Sequence, residues 1–315
     1  AVRRALRDEP ITAETIGFFI GPRINGSGRV DDSMVSVDFL MAKEEEEAAM
    51  LLARLDEMNA YRKELQERML RTAKPIAQLQ DSYGVAAIVI YLPDGHAGIH
   101  GICSSRLTEL YGRPSCIFSP KQGVEGVLTA SLRSIEGINL KRALDRANEI
   151  DPGCTLSHGG HAMAAGASTH VANLERFQIA FRAAVAEQRD PATMRPLVLT
   201  DGALPDPPDL ETLTQISALE PFGRSFPAPI FEGQMQVAAI RRVGDGRHLK
   251  LELHDATGNR FSAIWFGACQ DADAPLPMAA GDRGRFVYTP AANTYRGNTT
   301  VDLRIQTVQL HEEAA

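Results

Sequence analysis

The sequence predicts an α/β fold: a mixed sheet covered by helices, preceded by a long connector helix and followed by a small antiparallel barrel or sandwich. Three observations predict it. Apolar residues keep a helical spacing from Lys43 to Leu79, strand-like and helix-like segments alternate from Val85 to Gln188, and the hydrophobic period falls to two beyond Gly223. A chain of 315 residues has room for two domains. Its 44% hydrophobic and 23% charged residues are ordinary for a globular protein.

Residues 1–42 hold a short helix-like stretch and then Gly21–Asp32, GPRINGSGRVDD. Its glycines and Pro22 predict a loop, because glycine permits backbone angles closed to other residues. Leu51, Leu55, Met58, Leu65 and Met69 then recur at helical steps, interrupted by Arg62. Glu44–Glu47 fall in the first turns, where they complement the positive end of the helix dipole. Only Pro75 interferes, near the end. Some 30 residues of helix would span ~45 Å, a length suited to joining two lobes.

Val85–Leu92 is a continuous β-branched run, as expected of a strand buried on both faces. Ile102–Tyr111 reads as a helix stopped by Gly112, with Pro114 just beyond. Ser115–Ser119 and Val127–Ser134 read as strands and Leu140–Asn148 as a helix. After the turn Asp151-Pro152-Gly153, the stretch 167–172 is strand-like, and Asn173 is placed to cap a helix over Leu174–Gln188. Pro191–Pro208 is a linker rich in Pro, Asp and Gly, and Leu210–Leu219 a short helix. Leu249, Leu251 and Leu253, then Val301, Leu303 and Ile305, alternate with polar residues as in antiparallel strands.

Bulk properties exclude some functions. No apolar run approaches the ~20 residues of a bilayer span, and the first residues lack the pattern of a signal peptide. Cys103, Cys116, Cys154 and Cys269 are scattered, which predicts reduced thiols in a cytoplasmic protein and no cysteine-based zinc site. The net charge of −7 leaves no global basic footprint, so nucleic-acid binding would have to rest on local sites. The first residue is not Met and no domain start precedes the first motif, so the chain reads as a fragment.

Four motifs carry candidate chemistry. In Ser157–Gly166 (SHGGHAMAAG), Gly159 and Gly160 let backbone approach an anion, and His161 stands at the mouth of a short Ala-rich helix. His161 there contacts a phosphate or moves a proton, or the segment is a tight turn with a structurally bonded histidine; the residues alone favour neither. Asp94–Gly101 (DGHAGIHG) is a Gly-rich turn between strand and helix, a common anion site, although its two histidines could equally be solvated. Ser131 and Arg133 at a strand end form a phosphate clamp or leave Arg133 in an ordinary salt bridge. Arg23, Asn25 and Arg29 present two guanidiniums and an amide. The zinc-protease, P-loop and α/β-hydrolase motifs do not occur.

Together these segments resemble the RecJ branch of the DHH phosphoesterase superfamily. Gly21–Arg29 is similar to the segment that closes that family's catalytic domain. Gly95–Pro114, Ser131–Asp145 and Gly159–Gly166 are similar to successive motifs of its DHH-associated domain, and Leu219–Gly233 to the opening of its OB-fold domain. The resemblance implies residues 1–42 as the end of the DHH domain, 43–79 as connector helix and 80–190 as the DHH-associated α/β domain. It implies 191–222 as linker and short helix, and 223–315 as an OB-fold barrel.

It further implies a 5′-to-3′ exonuclease acting on single-stranded DNA in repair and recombination, with Mn2+ or Mg2+ held mainly by a DHH domain that these residues lack, and no metal ligand among them. His161 would touch the scissile phosphate, Ser131 and Arg133 the 5′ phosphate beside Gly159 and Gly160, and Arg23 and Asn25 the DNA near the cleft. The implied partners are a single strand with a 5′ end, the DHH half, and a single-stranded-DNA-binding protein or helicase, with no membrane. Leu132 stands where the family has Gly, and Phe226 where it has Asn. On the barrel, Arg241 and Arg242, with Arg247 nearby, line a cationic groove, and Tyr295 with Arg296 offers a ring and a cation at a hairpin tip. Of Trp265 and Phe266, adjacent on a strand, one faces the core. Apart from catalysis, a non-catalytic single-stranded-DNA-binding module is the alternative.

Overall fold

The structure is a computed structural model that describes residues 11–311 except positions 14, 224, 270 and 296, and except the side chain of Tyr295. The chain divides into two compact units, Ala1–Leu197 and Val198–Ala315.

In the first unit a π-helical segment, Thr15–Ile20, leads into helix α1, Gly21–Val30. The loop expected over Gly21–Asp32 is therefore a helix. Pro22 sits in its first turn, where the missing N–H costs nothing. Gly26 is buried, and its Cα faces the backbone of Asn59 on the long helix. Helix α2 is Met34–Met41. Helix α3, Glu45–Ser82, has 38 residues, ~57 Å at 1.5 Å per residue, and runs on through Pro75. Glu45, Glu46 and Glu47 occupy its first turn, and Leu55, Met58, Leu65, Met69, Ala73 and Ala77 form its buried stripe.

The sheet has strand order β1-β2-β3-β5-β4: β1 Ile88–Tyr91, β2 Ser115–Pro120, β3 Val127–Arg133, β4 Ser157–Gly160 and β5 Ala164–His170. Strands β1 and β2 are parallel, joined through helix α4, Ala97–Tyr111, and the remaining pairs are antiparallel. Alternation along the strands sends Ile88, Ile90 and Ile117 to a core shared with α3 and α4. It sends Val89, Cys116, Phe118 and Leu132 to the other face, under α5, Leu140–Ile150, and α6, Leu174–Ala186. Leu132 is fully buried in that second core.

Three local expectations change. Helix α4 starts at Ala97, so most of the Gly-rich segment Asp94–Gly101 is helix rather than turn; Gly112 ends it with φ +60° as expected. No helix follows His161. The two glycines end β4 and Ala164 begins β5, so Ser157–Gly166 is a β-hairpin whose turn carries His161. Backbone pairing with β3 and β4 outweighs the helix preference of the alanines of β5. Asn173 precedes α6 but makes no side-chain cap bond. Its amide donates instead to the Gly153 carbonyl at 3.3 Å.

In the second unit, α7, Leu210–Ser217, opens with a capping box built by Asp209 and Thr212. A closed five-stranded barrel of order β10-β8-β7-β6-β9 follows: β6 Phe231–Val243, β7 His248–Asp255, β8 Arg260–Trp265, β9 Arg283–Tyr295 and β10 Asn298–Leu310. Strand β6 pairs β9 with its first half and β7 with its second, and a register shift between Val237 and Ala239 bends it round the barrel. Leu249, Leu251, Leu253 and Leu303 fill the interior. Trp265 packs on that core while Phe266 is exposed, edge-on to His248 at 5.3 Å. Among the described residues no helix is long and apolar enough to cross a membrane.

Candidate nucleic-acid interface

In the α/β unit a cleft of about 590 Å³ brings together Asn25, Arg29, Gly98, Gly101, Ser131 and Arg133. Strand geometry explains the pairing of the last two. Ser131 and Arg133 are two residues apart on β3 and share the face opposite the buried Leu132. Two hydroxyls of α4 fix that strand: Ser104 donates to the Ser131 carbonyl at 2.9 Å and Thr108 to the Arg133 carbonyl at 3.4 Å.

Two glycines of α4 make room for the cations. A Cβ on Gly101 would lie 2.5 Å from Nη2 of Arg133, and one on Gly98 would collide with the Arg29 carbonyl oxygen. Arg29 donates to the Gly98 carbonyl at 3.1 Å and Arg133 to the Leu132 carbonyl at 2.8 Å. Among the described residues neither has a carboxylate partner, so the salt bridge open to Arg133 on sequence does not form. Burial pushes the Arg133 guanidinium below its usual range, and the charge of Arg29 adds to this. Arg62, half-buried and also facing Arg29, is lowered in the same way, and among the described residues its partners are the neutral Asn59 and Gln66. Guanidiniums crowded together with neutral partners favour an anion among them.

The other expected residues are placed differently. Arg23 is held by Asp56 at 2.6 Å and by the Phe19 carbonyl at 2.7 Å, with its guanidinium 3.6 Å over the Phe19 ring, and it does not line the cleft. Gly159, Gly160 and His161 also lie outside the lining, but their hairpin turn crosses the end of β3: Ser134 donates its N–H to the Met163 carbonyl at 3.1 Å. Gly160 has φ +135°, and a Cβ there would meet Ala165 at 2.5 Å, so the position demands glycine. His161 is exposed, and among the described residues its ring makes no hydrogen bond; it is not a structurally bonded histidine.

Next to it, His158 is held by Asp145 at 3.0 Å and Thr155 at 3.1 Å, pinning β4 to α5. Thr155 is three residues from His158 and Asp145 thirteen, so the bonds tie neighbouring elements together.

His100, the second histidine of the Gly-rich segment, is buried rather than solvated and pairs with Ser119 at 2.8 Å. Burial first, and the neighbouring His96 second, push its pKa down to about 4. An unfolded histidine titrates near 6.5, so the unfolded chain binds more protons between these values. Stability from this site is complete above about pH 6.5 and is lost as pH falls toward 4, a total of about 3 kcal/mol. Urea midpoints at pH 7 and pH 4.5 check this: His100→Gln is expected to show a smaller acid loss than the unsubstituted chain.

On the barrel, a second cleft of about 310 Å³ lies on the outer face of β6, β7 and β8, with Arg241, Lys250, His254, Arg260 and Phe261 in its lining. Lys250 is fixed by Asp302 at 2.6 Å, which also accepts from Asn293 at 3.0 Å. Arg241 is where the sequence places it, in the groove. Arg242 turns away to the carbonyls of Gly246, Asp271 and Ala274, and Arg247 pairs with Asp245. Tyr295 ends β9, but its side chain and Arg296 lie outside the described residues. Lys250, His254 and Arg260 are absent from the sequence-based expectation, yet a signal exists: Lys250 and His254 alternate with the buried leucines of β7.

Among the described residues no group of three or more His, Cys, Asp or Glu side chains could hold a metal ion.

A mixed-sheet α/β domain with a histidine hairpin, followed by a five-stranded barrel, defines the class of a DHH-associated domain joined to an OB-fold. Residues 84–187 match the DHHA1 domain model and residues 201–307 the RecJ OB domain model. The single-stranded-DNA-specific exonuclease RecJ of Haemophilus influenzae is 34% identical over 314 residues, covering 97% of this chain and 53% of that protein. The crystal structure of RecJ from Thermus thermophilus in complex with Mg2+ matches with a TM-score of 0.77 at 26% identity, over 99% of this chain and 46% of that one. The Mn2+ complex of the same protein matches with a TM-score of 0.76 over 43% of its chain. The chain belongs to the RecJ family of the DHH superfamily and corresponds to its C-terminal portion. It spans about half the length of the curated relatives it matches.

Proposed function

We propose that this chain is the strand-gripping portion of a metal-dependent 5′-to-3′ exonuclease that degrades single-stranded DNA. The observation that carries the reading is the cleft in which, among the described residues, Arg29 and Arg133 stand without a carboxylate partner beside Ser131 and Asn25. A 5′-terminal phosphate supplies the missing anion, held by guanidinium forks and the Ser131 hydroxyl. His161, exposed on the hairpin beside β3, donates a hydrogen bond to a phosphodiester emerging from that cleft. Arg241 and Arg260 hold backbone phosphates on the barrel, beside Lys250 paired with Asp302. Arg23, tied to Asp56, stands outside the cleft lining.

The divalent metals seen with the Thermus protein would polarise the scissile phosphate and supply the attacking hydroxide. The described residues offer no donor set for them, so we assign that role to a DHH segment of the family. Cytoplasmic location and partners such as a single-stranded-DNA-binding protein or a helicase belong to the same proposal.

Release of nucleotides from a 5′-phosphorylated single strand in Mn2+ tests it, with the chain alone and supplied with a DHH segment from a relative. Release only in the mixture is expected. Release by the chain alone, or none in the mixture although the two bind each other, would overturn the reading. The alternative, a non-catalytic binding module, draws on the cationic barrel face; it requires binding indifferent to the 5′ end.

A further inference from the structure

The cations that face the barrel cleft are not equivalent. Arg241 of β6 and Lys250 of β7 stand directly opposite each other in the strand register, and both line the cleft. Like charges opposed on an antiparallel pair repel. Lys250 relieves the repulsion by reaching across β8, which lies between β7 and β10, to the carboxylate of Asp302 at 2.6 Å. Among the described residues Arg241 and Arg260 have no carboxylate partner of this kind.

The pair is poorly made for stability. Asp302 is 7% exposed. Its Oδ2 accepts both bonds, from Lys250 and from the Asn293 amide at 3.0 Å, while Oδ1 is buried and has no partner among the described residues. A buried carboxylate repays its desolvation only when its remaining lone pairs are also satisfied. What the carboxylate does to the charge of the groove accounts for it better than what it does for the fold.

We infer that Asp302 sets how strongly the barrel face holds a strand, by keeping the charge of Lys250 from the phosphates. The inference rests on the reading of that face as a phosphate-binding groove and deepens it. A phosphate arriving beside Arg241 competes with Asp302 for the ammonium of Lys250, so the lysine adds little to the grip. A strand consumed from its 5′ end has to shift along the groove after each cleavage, breaking every contact there. With one cation withheld, the groove lets go more readily than its number of cations implies.

Fluorescence anisotropy with a 5′-hydroxyl single-stranded oligonucleotide, repeated over a series of salt concentrations, tests this. The 5′ hydroxyl keeps the contribution of the Arg29 and Arg133 cleft small. Asp302→Asn removes the charge, and an amide of the same shape can still meet Asn293. This variant is expected to bind about three- to tenfold more tightly than the unsubstituted chain at low salt. Its log affinity should also fall more steeply with log salt concentration, by about 0.7, the increment for one further phosphate contact on a single strand. Adding Lys250→Gln to that variant should cancel both gains, and the fold tolerates loss of both members of the pair together. Arg241→Gln should weaken binding and flatten the salt dependence. Unchanged affinity and slope in Asp302→Asn, or gains that survive the added Lys250→Gln, overturn the role of Asp302 and spare the groove. No binding, or binding indifferent to Arg241→Gln, overturns both.

Discussion

Truncating His161 to Ala is expected to slow nucleotide release by roughly 10²–10⁴-fold, the range a positioned proton donor contributes, in the mixture of this chain with a DHH segment. The fold should not notice the change. His161 is exposed, its turn is closed by its own backbone N–H donating to the Ala164 carbonyl at 2.8 Å, and Gly160 sets the turn's geometry. Substrate affinity should change little, because the proposed 5′-phosphate site of Arg29 and Arg133 has a lining that His161 does not join. Steady-state kinetics separate these effects: kcat falls, KM holds, and the thermal midpoint stays in place. A matching loss of thermal stability would instead mark His161 as a structural residue.

Phe177→Ala is expected to destabilise the α/β unit by about 3–5 kcal/mol, the cost of emptying a buried aromatic site. Phe177 is fully buried. Its ring lies edge-on to Phe118 of β2 at 5.0 Å and stacks on Phe181 at 5.4 Å. Through these rings α6 covers the sheet behind β3, so their loss also loosens the strand that aims Ser131 and Arg133. Urea unfolding followed by far-ultraviolet circular dichroism gives the change in midpoint. A loss below about 1 kcal/mol would mean that the site collapses around the cavity.

Much of this architecture is legible in the residues because one physical pattern governs each element. The stripe of Leu55, Met58, Leu65 and Met69 announces α3, and the alternation of Leu249, Leu251 and Leu253 announces β7. What misleads is a residue that serves a distant contact. Glycines in α1 read as a loop, yet the segment is a helix that buries Gly26 and Ser27, and only the folded chain shows the long helix it lies against. Alanines after His161 read as a helix, yet β5 takes them because β3 and β4 flank them on both sides.

The candidate site divides in the same manner. Ser131 and Arg133 are found from their spacing on one strand face. Arg29 stands out in the sequence by its charge, but its place opposite Arg133 depends on α1 docking onto Gly98. Arg62 is visible as a cation interrupting an apolar stripe. A charge within an apolar stripe is a signal in its own right, and here it marks a half-buried guanidinium facing Arg29.

The function proposed for this chain depends on the cleft gripping the 5′ end of a strand through Arg29 and Arg133. Fluorescence anisotropy with one single-stranded oligonucleotide, carrying either a 5′ phosphate or a 5′ hydroxyl, tests it most directly. The phosphorylated strand is expected to bind more tightly, by roughly tenfold or more for a charge-assisted contact, and Arg133→Gln to abolish that difference. Equal affinity for the two strands in the unsubstituted chain would contradict it.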